Sequence, residues 1–253
     1  MKTLSALIAA IGVTILASGA RAEDEPAKAP QMEASTAAPS GEKTVSATTV
    51  YAKAEDVQPL KFGAPLPAVS VKNAKGETVT LADATKGRRS VIVFYRGGWC
   101  PFCNKHLADL ATIEPQLAAS GIPIIAISPD SPETITAYGA KHLLPYTLLS
   151  DSSHDAIKAF GVAFAVDAET QQKYKGYGID LAAASGNADA VLPTPSVFIV
   201  DPSGKITYSH TNPDYKSRMS GAEILKAAGV APEMKRDAKM DMKKEEKKDM
   251  APK

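Results

Sequence analysis

The chain has 253 residues, 44% hydrophobic and 23% charged, with a formal net charge of +1. That length holds one ordinary domain with tails, or two small ones. The near-zero charge argues against a dedicated nucleic-acid surface.

Residues 1–22 combine Lys2, an apolar run from Leu4 to Ala17 and the sequence "SGARA" ending at Ala22. A basic start, a short apolar run and a small-residue exit predict a secretory signal peptide. The run falls short of the about 20 apolar residues that span a bilayer. With no cysteine near the cleavage point, a lipoprotein anchor is not expected, and the destination read from this end is secreted or periplasmic. Residues 23–57 are rich in Ala, Pro, Glu, Lys, Ser and Thr. They bury too little apolar surface to offset ordering entropy, so a disordered spacer is expected. Residues 231–253 end in a mixed-charge tail, with eight Lys/Arg against six Asp/Glu from Glu233 onward, expected to be solvated. A single domain is left over 58–230.

Within it, "PAVSVKNAKGETVTLAD" alternates around a Gly-containing turn and predicts a β-hairpin. "RSVIVFYR" (89–96) is a β-branched and aromatic run, as expected of a strand covered on both faces. A helix is predicted from Pro101, with Leu107, Leu110, Ile113 and Leu117 at helical spacing. "IPIIAISP" predicts a second buried strand, Ser131 and Pro132 open a second helix, "YTLLSD" is a shorter strand, and "SHDAIKAFG" a helix ended by Gly161. After a stretch read as irregular, "PSVFIVDPSGKITYSH" predicts two strands joined at Asp-Pro-Ser-Gly, and "SGAEILKAAG" a closing helix. Strands alternating with helices define an α/β class with a parallel portion and an antiparallel edge.

The chain's two cysteines, Cys100 and Cys103, form C-x-x-C where the first buried strand meets the first long helix. Structural zinc wants four ligands, and His106 extends the pattern only to three. Covalent haem needs His directly after the second Cys, where Asn104 stands. No metal or cofactor is therefore expected. A stapling disulfide closing so small a loop would contribute little stability. At a helix N-terminus, by contrast, backbone N–H groups and the helix dipole favour a thiolate, and a thiol three residues on can resolve an intermediate. The pair reads as a redox centre. Thr194–Pro195, just ahead of a buried strand, fits either a cis X-Pro bond or an ordinary trans loop proline.

Five stretches, "FYRGGWCPFCN", "IIAISPDSPET", "LLSDSSHDAIKAFGV", "LPTPSVFIVDPSGKI" and "NPDYKSRMSGAEIL", resemble the peroxiredoxin-like branch of the alkyl hydroperoxide reductase/thiol-specific antioxidant (AhpC/TSA) family. The resemblance covers Phe62 to Gly229. It implies a thioredoxin-like fold, with a central mixed β-sheet flanked by helices in one domain, Cys100 near the exposed helix start and Pro195 as a cis-proline facing the redox pair. It also implies a peroxide substrate and an external dithiol reductant such as a thioredoxin-like protein. The typical F-Y-P-x-x-x-T-x-x-C pattern, laid over "FYRGGWCPFC", puts Arg96 at the proline, Cys100 at the threonine and Cys103 at the peroxide-attacking cysteine. The family arginine that precedes the strand after Thr194–Pro195 has no counterpart. Arg96 or Arg218 could take its place, since a guanidinium stabilises a leaving oxygen well. The plainer readings are a strand-end Arg96 meeting solvent and an Arg218 paired with Asp214 or Glu223. His106 and His210 read as surface or boundary residues. Trp99 adjoins the pair. Two activities stay open, peroxide reduction through Cys100 and Cys103, or disulfide exchange with partner proteins. A binding module that has merely kept the fold is a third reading, disfavoured by the intact pair.

Overall fold

A computed structural model describes residues 49–231. The segment read as a signal peptide, most of that read as a spacer and nearly all of the charged tail lie outside the described residues. Residues 49–57, assigned to the spacer on composition, are part of the fold. Tyr51 bridges to Phe164, its N–H reaching Ala163 O at 2.9 Å, and a short 3-10 turn follows at Ala54–Asp56. A few placed apolar residues outweigh the polar average here, for Val50 packs on the core.

The hairpin forms as β1 (Ser70–Lys72) and β2 (Thr78–Thr80), antiparallel, and leads into the short helix α1 (Leu81–Thr85). The buried runs become β3 (Ser90–Phe94) and β4 (Ile124–Ser128), parallel neighbours with all ten residues buried. Between them lies α2 (Pro101–Ala119). Helix α3 (Pro132–His142) starts at an N-cap Ser131 whose side chain accepts from Thr134 N. Then come β5 (Thr147–Ser150) and α4 (Asp155–Ala159). The stretch read as irregular is ordered into β6 (Ala163–Ala165), α5 (Ala168–Gly176), α6 (Leu181–Ser185) and β7 (Val191–Pro193). These elements are short, and α5 buries none of its residues, so no apolar period announces them. Strands β8 (Ser196–Val200) and β9 (Ile206–Thr211) pair antiparallel, and α7 (Gly221–Ala227) closes the domain behind a Ser220/Glu223 capping box.

The sheet order is β2-β1-β5-β4-β3-β8-β9, with β6 and β7 as a separate ribbon. Parallel β3, β4 and β5 occupy the middle, and the outer pairings are antiparallel. Because strand side chains alternate between faces, the buried runs feed two cores. Val91, Val93, Tyr95, Ala126 and Val197 face α2 and α7. Ile92, Phe94, Ile127 and Phe198 face α1 and α4, where Phe160 packs with ring centroids 4.8 Å from Phe94 and 4.9 Å from Phe198. This is the mixed, helix-flanked sheet expected of a thioredoxin-like fold, and it fixes the end of β3 as the platform for the cysteines.

Candidate active site

The chain leaves β3 at Phe94, turns through "YRGGW" and enters α2 at Pro101, with Cys100 as the N-cap residue. Proline at the first helical position gives up no needed hydrogen bond. Gly97 is required by the turn. Its φ is +150°, and a Cβ there would fall 2.3 Å from Trp99 Nε1. Cys103, Leu107, Leu110, Ile113 and Leu117 form the buried stripe that pins α2 to the sheet. One turn separates the two cysteines, which puts them on the same helix face.

Both thiols are free and buried, Cys100 1% and Cys103 0% exposed, so Cys100 is not at the surface as the family resemblance implied. Trp99 packs against the core cluster that contains both cysteines. It also packs against Tyr174 of α5 at 5.6 Å, and Phe102 against Tyr215 at 5.7 Å. The thiols are electrostatically unequal. A hydrogen bond from the Cys103 thiol, and to a lesser degree the Cys103 backbone N–H, Arg96 and Arg218, pull the Cys100 thiol down to about 6. The same thiol–thiol hydrogen bond, together with burial, pushes Cys103 up. Of the two, Cys100 is the thiol that ionises more readily, with Cys103 as its hydrogen-bond donor.

Arg96 is 4% exposed rather than open to solvent. Its guanidinium lies over three rings, 5.1 Å from Trp99, 5.4 Å from Tyr174 and 4.2 Å from Tyr215, and it donates to the Tyr174 hydroxyl. Cation–π contact of this kind holds a charge where water is scarce. Arg218, in the loop between β9 and α7, is not engaged by Asp214 or Glu223. Its Nη2 donates to Cys103 Sγ at 3.6 Å and its Nη1 to Ser217 O at 2.9 Å, while Glu223 is taken up by Ser220. His106 is buried, not a surface residue, because it lies on the inward stripe of α2 beside Leu107. Burial and Arg218 hold it down at about 4, neutral. His210 is half-buried on β9.

Thr194 is fully buried, and its N–H donates to Val162 O at 2.8 Å. The Thr194–Pro195 bond is trans, not the cis bond implied by the resemblance. The physical reason for the proline is its place. It stands between the β6–β7 ribbon and the first paired residue of β8, Ser196, where no sheet hydrogen bond needs its missing N–H. Its carbonyl accepts from Asn212 N at 3.2 Å. With Arg96, Tyr174 and Tyr215 it lines a cavity of about 350 Å³. A second groove of about 480 Å³, lined by Phe102, His106, Arg218 and Met219, lies on the Arg218 side. Among the described residues no three His, Cys, Asp or Glu side chains converge to hold a metal ion, and no helix is long and apolar enough to cross a membrane.

The sequence reading missed Tyr174, Tyr215 and Asp130. Tyr174 sits in the stretch read as irregular, whereas Asp130 followed a recognised strand directly and could have been suspected on that ground.

Two cysteines one turn apart at a helix start, on a thioredoxin-like sheet, point to a thiol-dependent oxidoreductase. More particularly, residues 62–209 match the AhpC/TSA family model, and the chain belongs to that family. It is 35% identical to Peroxiredoxin Bcp of Escherichia coli strain K12 over 106 residues, 42% of this chain and 67% of that protein. Among solved structures it is similar to Peroxidoxin BcpB from Mycobacterium tuberculosis, with TM-score 0.52 and 18% identity over 67% of this chain and 95% of that one. The peroxiredoxin-like protein from Aquifex aeolicus gives TM-score 0.54 and 18% identity, over 68% and 88%. These structural likenesses concern the fold.

Proposed function

We propose that the protein is an exported thiol peroxidase that reduces peroxides through a Cys100–Cys103 dithiol–disulfide cycle. The observation that carries this reading is the pair of cysteines at the start of α2, with Arg218 Nη2 3.6 Å from Cys103 Sγ, in a chain of the AhpC/TSA family. Cys100 attacks one peroxide oxygen, and the O–O bond breaks. The other oxygen leaves and is protonated to water or an alcohol, its developing charge met by the guanidinium groups. Cys100 becomes a sulfenic acid. The Cys103 thiol condenses with it, forming the disulfide and releasing water. An external dithiol protein then attacks the disulfide through a mixed disulfide and returns two electrons and two protons. In this order the attacking residue is the one that the gapless family comparison puts at the threonine, and Cys103 resolves.

Disulfide exchange with partner proteins is the second reading. The match of residues 62–209 to the AhpC/TSA family favours peroxide reduction over it. Export is supported by the pattern of residues 1–22.

Rapid mixing of the reduced protein with hydrogen peroxide or with an oxidised dithiol protein, followed by Trp99 fluorescence, decides between them. A fast peroxide phase that is retained in Cys103→Ser and lost in Cys100→Ser supports the proposal. A slow peroxide phase beside a fast disulfide phase overturns it. Cell fractionation and N-terminal sequencing of the mature chain test export.

A further inference from the structure

The segment ahead of β1 is held in place at two points. The Tyr51 N–H donates to Ala163 O at 2.9 Å, and the Tyr51 carbonyl accepts from Ala165 N at 2.8 Å. Three residues on, the Ala54 carbonyl accepts from Thr194 Oγ1 at 3.4 Å. Residues 52–55 are thereby fixed as one wall of the cavity of about 350 Å³ beside Arg96.

Arg96 supplies that cavity with a buried charge. A guanidinium carries five N–H donors and no acceptor. Here Nη2 donates to the Tyr174 hydroxyl and Nε is buried with no hydrogen-bond partner. Among the described residues no carboxylate forms an ion pair with Arg96. Buried arginines are ordinarily paired, because an uncompensated charge in a dry place is costly. The rings of Trp99, Tyr174 and Tyr215 temper the charge but leave Nε without an acceptor.

The rest of the lining narrows what acceptor would suit it. Phe164, Pro195 and the two tyrosines give the cavity apolar walls. The other charges, Lys53, Glu55 and Asp167, stand at exposed positions. The Asp167 carboxylate is already engaged by Thr170, whose N lies at 2.8 Å and Oγ1 at 2.7 Å. Lys53 and Glu55 oppose each other, so Arg96 is the charge that a ligand meets inside. The volume falls at the small end of the about 300–1,000 Å³ usual for ligand pockets. A planar carboxylate matches the guanidinium fork, and a short hydrocarbon body matches the walls. Phosphate or sulfate has no such body.

We propose that the Arg96 cavity binds a small organic monocarboxylic acid. Its carboxylate accepts from Arg96 Nε, its body lies against Phe164 and Pro195, and Lys53 of the arm draws it in. The segment before β1 is then part of a binding site rather than a tether. This inference rests on the geometry of Arg96 and the arm, and holds whichever oxidant the cysteines meet.

The test is a titration of the reduced full chain, labelled with nitrogen-15 at arginine, with benzoate. The readout is the Nε–Hε resonance of Arg96, assigned by its loss in Arg96→Lys. The expected result is a saturable shift with benzoate and none with benzyl alcohol, which keeps the ring but lacks the carboxylate. Trp99 emission should change over the same range, since its ring lies 5.1 Å from the guanidinium. No shift with benzoate, or an equal one with benzyl alcohol, overturns the proposal. An equal shift with sulfate also overturns it, by showing a site for any anion. Lys53→Glu, at an exposed position, should weaken benzoate binding about twofold to fivefold, the scale of an exposed charge contact. Unchanged affinity in that variant overturns the part given to the arm. No measurement uses peroxide, so a failed peroxidase assay leaves this result standing.

Discussion

Arg218 Nη2 lies 3.6 Å from Cys103 Sγ across 115 residues of sequence. The family's arginine precedes the strand that here is β8, yet in this chain a guanidinium reaches the thiols from the loop after β9. Replacing Arg218 by Lys keeps the charge but loses the planar fork. Peroxide oxidation should slow by about 10²–10³-fold, the usual loss when a donor to a developing oxyanion is removed. The unfolding midpoint should stay close to wild type. Stopped-flow Trp99 fluorescence and thermal melts check the two halves, and a full-speed Arg218→Lys enzyme would remove this residue from the mechanism.

The unequal thiols give a second prediction. Cys103→Ala deletes the hydrogen bond that contributes most to lowering Cys100. The Cys100 midpoint should rise, and alkylation near pH 7 should fall about twofold for the first unit of that rise and by up to about tenfold for each further unit. Cys100→Ala should do the reverse to Cys103, removing the largest cause of its elevation. Thiolate absorbance against pH in both variants measures it.

A third prediction concerns the cover over the pair. Helix α5 buries none of its own residues, and Tyr174 ties it to Trp99 and Arg96. Tyr174→Ala should raise the rate at which a bulky maleimide labels Cys100 by about tenfold, while a small reagent such as iodoacetamide gains less. Competition between the two reagents reads the size dependence directly. Equal acceleration of both would mean that Tyr174 acts on the thiolate rather than on access.

Asp151 offers a pH test of stability away from the site. It accepts from Ala156 N at 3.0 Å and Ile157 N at 2.8 Å, and burial raises it from 3.8 to about 7. A folded-state value above the unfolded one means that the folded chain binds the extra proton. The contribution is fully present below pH 3.8 and is lost as pH rises through about 7. Asp151→Asn does not titrate, so its melting midpoint should gain on wild type by several degrees between pH 5 and pH 8, given about 2–4 °C per kcal/mol in a domain of this size. A constant difference across that range would count against the assignment.

Much of the scaffold was legible because burial leaves a plain trace in sequence. "RSVIVFYR", "IPIIAISP" and "PSVFIVD" are continuous apolar runs, and all three became buried strands of the main sheet. The place of the C-x-x-C between the first buried strand and the first long helix was likewise legible. The span from β6 to β7 was not, because three-residue strands and a helix without a buried face carry no period. Arg218 stood out in the sequence as a stand-in for the family arginine, but its contact with Cys103 did not, and the hold of Asp130 on Gly98 was equally hidden. Their roles depend on which loop ends fold against the cysteines, and no local pattern encodes that. His106 could have been read inward, since it lies three residues after Cys103 and four before Leu110 on the stripe that holds α2 to the sheet. The proline at position 195 was legible as special, but its purpose is the handover between two sheets.

The cysteines are three residues apart at the start of one helix, not shared between two distant segments. Neighbours at that spacing have Cβ atoms about 5–6 Å apart, and a disulfide needs about 3.5–4.5 Å. Oxidation therefore asks for a local tightening of roughly an ångström or two, with the sheet and α2 left in place. The two redox forms should be nearly superimposable and interconvert without unwinding a turn. A reductant that meets this protein must then tell spent from ready molecules by touch at the cysteines themselves, because the rest of the surface carries no record of the turnover.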